Sequence, residues 1–227
     1  AQQSGALAPR NPEFLASRAQ VANSIKNMKD WWYVETDHYI ILSNRKIRYQ
    51  SLIKNLQVEI EIMRDAYEQF MPPVATITAI SVIRAFGSTA EYDAYVGPDY
   101  TWTGGVWIPS KKELVIKTID KAGSNDQRDW VRRVTYHEAF HQYIFYALNQ
   151  LQPSPWFNEG HAAFFETAVI SNNRITIEED EARAKMIEEM AAAGMIDLQA
   201  ALRMDYDQFY SPNQNILEMN YTLAWAL

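Results

Sequence analysis

Apolar positions recur along the chain at two spacings. Phe14, Leu15, Val21, Ala22, Ile25 and Met28 fall at helical intervals behind Asn11-Pro12, a pair suited to an N-cap and a first-turn proline. The polar residues 1–11 predict a loose tail. Residues 33–43 hold the β-formers His38-Tyr39-Ile40-Ile41-Leu42 and predict one strand. Leu52, Ile53, Leu56, Ile60, Met63, Tyr67 and Phe70 mark a long amphipathic helix over 45–70, stopped by Pro72-Pro73. A short apolar strand over 79–86 and a short helix over 88–95, capped by Ser88 with Glu91 three residues on, follow.

Residues 104–108 and 113–117 predict a hairpin around Pro109-Ser110-Lys111-Lys112. Helices are expected over 126–150 and 156–170, separated by Pro153 and Pro155, then a short strand over 174–177. A helix over 178–193 ends at Gly194, and its acidic start reads as a solvated turn favoured by the helix dipole. Short helices over 197–210 and a last helix over 213–227 complete the chain. Strands gather in the first half and helices in the second. That order predicts an α+β fold, one domain over 12–227 whose N-terminal mixed or antiparallel sheet packs on helices. The final apolar helix has no cap or charged last turn, which predicts that the natural chain continues past Leu227.

Composition narrows the chemistry. At 48% hydrophobic and 22% charged, the 227 residues are globular in character, which removes disorder. A net charge of −7 argues against nucleic acid as a partner. No run of apolar residues is long enough to span a bilayer. The start lacks both a signal-peptide pattern and an initiator methionine, so a processed, extracytoplasmic chain is expected. There is no cysteine, which excludes disulfides, thiolate metal sites and cysteine nucleophiles together. Of four histidines, His137, His141 and His161 fall close together.

His137-Glu138-Ala139-Phe140-His141 reads H-E-x-x-H inside an expected helix. Residues four apart share a helix face, so both imidazoles can reach one metal ion. Glu138 lies about 100° further round, where it can take a proton from water beside the ion. In Trp156-Phe157-Asn158-Glu159-Gly160-His161-Ala162-Ala163, Glu159 stands 18 residues after His141. A proline-bearing turn between the two helices would bring it back alongside. Two histidines and a carboxylate, with one position left for water, make a catalytic zinc arrangement.

H-E-x-x-H followed by W-F-N-E-G-x-A resembles the gluzincin metallopeptidases, the clan of thermolysin and aminopeptidase N. The wider layout, from Thr36-Asp37-His38-Tyr39-Ile40-Ile41-Leu42-Ser43-Asn44 onward, resembles the peptidase-MA-like proteins of bacteria. The resemblance implies a zincin-type helical active-site region, Zn2+ as cofactor, His137, His141 and Glu159 as ligands, and Glu138 as general base. It also implies a tyrosine that opens a helix and donates to the oxyanion, a place that Tyr221 matches. Thermolysin-like members carry an aspartate four residues after the glutamate ligand; here Ala163 stands there, so Glu166 or another group must orient the imidazoles. The Gly-x-Met-Glu-Asn clamp for a free amino terminus is missing, which disfavours exopeptidase action.

Around Val106 and Trp107 the hairpin either offers an edge to an extended substrate or forms plain sheet core. His161, about 200° from Glu159, should leave the ligand face and either wall a pocket or lie at the surface. His38 should be a surface or sheet-packing residue. The expected function is zinc-dependent hydrolysis of a peptide or protein substrate. The alternatives are a zinc-bearing binding module with gated catalysis and a zinc hydrolase of cell-wall amides.

Overall fold

A computed structural model describes residues 11–45, 50–118 and 125–227. The tail expected over 1–11 lies, apart from Asn11, outside the described residues. Helix α1 (Pro12–Ile25) starts as its sequence dictates, with the Asn11 carboxamide accepting from the Glu13 and Phe14 amides. Where one strand was expected over 33–43, two form: β1 (Trp32–Glu35) and β2 (Tyr39–Ser43), paired antiparallel. The correction has a long-range cause. Glu61, from helix α2 (Gln50–Phe70), accepts from the Thr36 hydroxyl and from the His38 amide at 2.7 Å, and its other oxygen lies 2.7 Å from His38 Nδ1. His38 is thus part of a turn rather than a strand.

Strand β3 (Ser81–Phe86), helix α3 (Thr89–Val96), β4 (Gly105–Ile108) and β5 (Glu113–Lys117) complete a five-stranded sheet of order β1-β2-β3-β5-β4. The inner strands β2, β3 and β5 run parallel, and both edges run antiparallel. Parallel strands need cover on both faces, and every residue of β2 and β3 is buried. On one face Ile40, Leu42 and Val82 meet Phe14 and Ile25 of α1. On the other, Ile41, Ile83, Leu114 and Ile116 meet Ile53, Ile60, Met63 and Tyr67 of α2 together with helix α4 (Asn125–Ala147). Each fully buried aliphatic side chain contributes roughly 1.5–3 kcal/mol.

This second face positions the candidate site. Ala139, Phe140, Tyr143 and Ile144 of α4 are buried against the sheet and α2, and the Gln142 side chain donates to the Val82 carbonyl at 3.1 Å. Tyr67 donates to the Tyr136 carbonyl at 2.8 Å. Arg132 makes a two-pronged pair with Glu59, at 2.9 and 3.0 Å. Helix α4 stops at Ala147 rather than at 150, because Asn149 and Gln150 take left-handed conformations (φ 53° and 66°) that turn the chain back.

Helix α5 (Pro155–Glu166) also ends earlier than expected. Ala168–Ser171 forms β6, which pairs antiparallel with β7 (Arg174–Ile177). Asn172 and Asn173 between them both have positive φ (51° and 58°), the requirement of a two-residue hairpin turn. Helices α6 (Glu181–Ala192), α7 (Leu198–Arg203), α8 (Tyr206–Phe209) and α9 (Gln214–Ala226) follow. Sheet first, helices after, is the expected α+β arrangement. Among the described residues no helix is long and apolar enough to cross a membrane.

Candidate metal centre

Helix α4 places His137 and His141 one turn apart on the face turned away from the sheet, their rings 4.8 Å apart edge to face. The α4–α5 turn returns the chain so that Glu159 comes between them. Its Oε2 lies 3.4 Å from His137 Nε2 and 3.3 Å from His141 Nε2. Ligand atoms held about 2.0–2.1 Å from one ion at tetrahedral angles stand roughly 3.3 Å apart, so the spacing suits a small cation. His137, His141 and Glu159 each offer one ligand atom to such a group. Glu159 is 1% exposed, and its Oε2 has no hydrogen-bond partner. A buried, unpartnered carboxylate oxygen facing two imidazole nitrogens is the feature a cation would satisfy.

The opposite ring nitrogens are also engaged. His137 Nδ1 lies 3.2 Å from Glu166 Oε2, and His141 Nδ1 lies 3.0 Å from Asn158 Oδ1. Both Nε2 atoms are thereby turned toward Glu159. Glu166 and Asn158 share α5 with Glu159, so one helix supplies a carboxylate to the group and both orienting partners. Tyr210 donates to Glu159 Oε1 at 2.5 Å.

Without a cation the cluster stores protons. Burial works to lower the His137 pKa, but the carboxylates of Glu159 and Glu166 outweigh it and push it up to about 10. Burial works to raise that of Glu159, yet the two imidazoles hold it well below the usual carboxylate range. The first contribution to stability is complete below the unfolded histidine value of 6.5 and fades as pH rises toward about 10. The second is complete above the unfolded carboxylate value of 4.5 and is lost as pH falls toward the depressed one. Both are therefore complete between 4.5 and 6.5. Melting temperatures of chelator-treated protein should fall from pH 6.5 toward pH 10, and Glu159→Gln should flatten that fall. An equally steep fall in the variant would contradict the assignment.

Glu138 stands beside the group, not in it, and its Oε2 accepts the Trp107 amide at 2.8 Å. Trp107 lies on β4, the sheet edge nearest α4. The two elements approach closely because Gly105 has no side chain; a Cβ there would sit 2.7 Å from Val134. The Trp107 ring packs on Phe145 and Tyr146, while Val106 packs against the Phe86, Tyr92 and Val115 cluster. Both side chains thus lie in packed clusters, while the backbone amide of Trp107 reaches the site.

Tyr221 sits in the middle of α9 rather than at a helix start, which corrects the expected placement. It is nonetheless close to the group. Burial first, then the Glu159 and Glu138 carboxylates, raise its pKa well above 10.0, so its hydroxyl stays protonated and able to donate. Tyr221 and His137 line a largely apolar cavity of about 370 Å3, with Trp102, Met186 and Leu217 along its walls. His161 faces elsewhere: its Nδ1 meets the Phe157 carbonyl at 2.7 Å, and its ring packs on Phe70 and Phe157.

Tyr206 and Tyr210 were not singled out from the sequence, which carries no local signal for them; each reaches the site across 48 or more residues. Trp107 was singled out as a strand edge for substrate, and its amide instead meets Glu138. Asn158 did have a signal, standing immediately before Glu159 in the quoted motif. No protein-family model and no curated protein sequence matches the chain, so its function has to be inferred from the chemistry of these side chains.

Proposed function

We propose that the protein is a zinc-dependent peptidase of the gluzincin kind, with His137, His141 and Glu159 holding the ion. The observation that carries this reading is the buried, unpartnered Glu159 Oε2 aimed between two imidazole nitrogens, with Glu138 beside the group. When bound, zinc supplies a Lewis acid and lowers the pKa of water. Imidazole and carboxylate donors in a chain without thiolates suit that ion.

Glu138 accepts the proton of the attacking water and delivers it to the leaving amine. The Trp107 amide, fixed to Glu138 Oε2, leaves Oε1 as the free oxygen for that transfer. Tyr221 donates to the oxygen on which negative charge grows, and burial keeps its proton in place. The cavity beside His137 and Tyr221 accepts an apolar side chain flanking the scissile bond. The presence of Glu138 favours hydrolysis over a purely structural ion, which has no use for an adjacent base.

Purified protein should contain close to one zinc per chain and cleave a peptide library. Chelation should stop cleavage and zinc alone should restore it. Zinc-loaded protein that cleaves no peptide would overturn the peptidase reading.

A further inference from the structure

Two tyrosines one helical turn apart reach behind two different members of the group. Tyr210, the residue that closes α8, donates to Glu159 Oε1 at 2.5 Å. Tyr206, at the start of α8, accepts from Asn158 Nδ2 at 3.1 Å and donates to the Pro153 carbonyl at 3.1 Å. Asn158 in turn turns its Oδ1 to His141 Nδ1 at 3.0 Å. The two phenol rings stack, with centroids 6.0 Å apart and planes 20° apart. Their short helix is fixed at both ends. Asp205 and Gln208 cap each other's backbone at its start, and Asn220 of α9 donates to the Phe209 carbonyl at 2.9 Å at its end.

We propose that Tyr206 and Tyr210 are positioning residues that preset the geometry of the metal group, an inference that rests on the metal reading above. A carboxylate with both oxygens free can grip a cation with both and occupy the position that water needs. Tyr210 commits Oε1 of Glu159 in a charge-assisted hydrogen bond and leaves Oε2 alone to turn toward the imidazoles. Glu159 is 1% exposed, so solvent cannot take over that bond. Tyr206 does for His141 what Tyr210 does for Glu159, one residue removed. By fixing the Asn158 carboxamide it holds the ring with Nε2 toward the same point. The stack ties both supports into one unit, and Tyr210 also packs edge-on against Tyr221.

The test is zinc affinity by chelator competition, using the purified chain and zinc alone, with cobalt absorption as a report on coordination number. Tyr210→Phe and Tyr206→Phe should each weaken zinc binding by about tenfold or more. Tyr210→Phe should also change the cobalt band as the freed carboxylate oxygen joins the ion. A control separates positioning from general stability. Tyr143→Phe loses a part-buried hydroxyl bond to the Met71 carbonyl, about 200° round α4 from His141, and should leave zinc affinity unchanged. The proposal is overturned if Tyr210→Phe binds zinc within about twofold of wild type with an unaltered cobalt band. It is equally overturned if Tyr143→Phe weakens zinc as much. Wild type that binds zinc but cleaves no peptide would sink the peptidase reading and leave this inference intact. Wild type that binds no zinc would overturn both.

Discussion

Replacing Glu138 with glutamine is expected to lower peptide hydrolysis by about a hundredfold to ten-thousandfold while zinc content stays at the wild-type level. The separation follows from geometry. Glu138 is not one of the three residues of the metal group, so the substitution removes a base without removing a ligand. A glutamine carbonyl can still accept the Trp107 amide, so the 2.8 Å bond between α4 and β4 has a replacement acceptor and the helix keeps its seat. The same protein should therefore bind zinc, melt like wild type and fail to turn over. His137→Ala makes the contrast, losing metal and turnover together. Zinc content from elemental analysis beside initial rates on one peptide decides the matter. If Glu138→Gln hydrolyses at more than about a tenth of the wild-type rate, the proton passes through another group and the assignment of the base is wrong.

Replacing Gly160 with alanine is expected to destabilise the protein by about 2–3 kcal/mol, although alanine is the better helix former. A methyl group at Gly160 would sit 2.1 Å from the Ala224 carbonyl oxygen and 2.7 Å from its carbon. Both obstacles are backbone of α9, so no rotamer change relieves the clash and the helices must part by more than an ångström. The gain in helix propensity, about 1 kcal/mol, does not offset that. Parting α5 from α9 also uncovers Ala224, which is buried against the glycine. Tyr221, one turn before Ala224, moves with it, so turnover should suffer even at temperatures where the variant stays folded. Urea titration gives the stability change. A Gly160→Ala midpoint equal to wild type would mean that α5 and α9 are not packed backbone to backbone.

The residues of the site that could be read from sequence are those whose partners lie close along the chain. His137, Glu138 and His141 occupy a single helical turn, and Glu159 returns through one short proline-bearing turn, so spacing alone brought them together. Glu166 was named through the family resemblance, as one group that could orient an imidazole where Ala163 stands in place of the expected aspartate. The rest depends on packing that spacing does not encode. Tyr210 reaches Glu159 across 51 residues, and its hydroxyl arrives only because α8 folds back beneath α9. The Trp107 amide is backbone, which no residue type advertises. Among the elements, the split of 33–43 into two strands was hidden because its turn is pinned by Glu61, more than twenty residues downstream. The β6–β7 hairpin did have a local mark, Asn172-Asn173, whose left-handed tolerance outweighs the helical spacing of Val169 and Ile170.

The closure of Gly160 against α9 also sets an order of events during synthesis. A chain growing from its amino terminus has both histidines and Glu159 in hand long before Tyr210 and Tyr221 exist. Until α9 emerges, the glycine face of α5 is bare and Asn220 is not there to hold the end of α8 that carries Tyr210 to Glu159 Oε1. The surroundings of Glu159 are therefore completed late, with the docking of α9. A nascent chain that lacks it holds the three-residue group without the packing that encloses it.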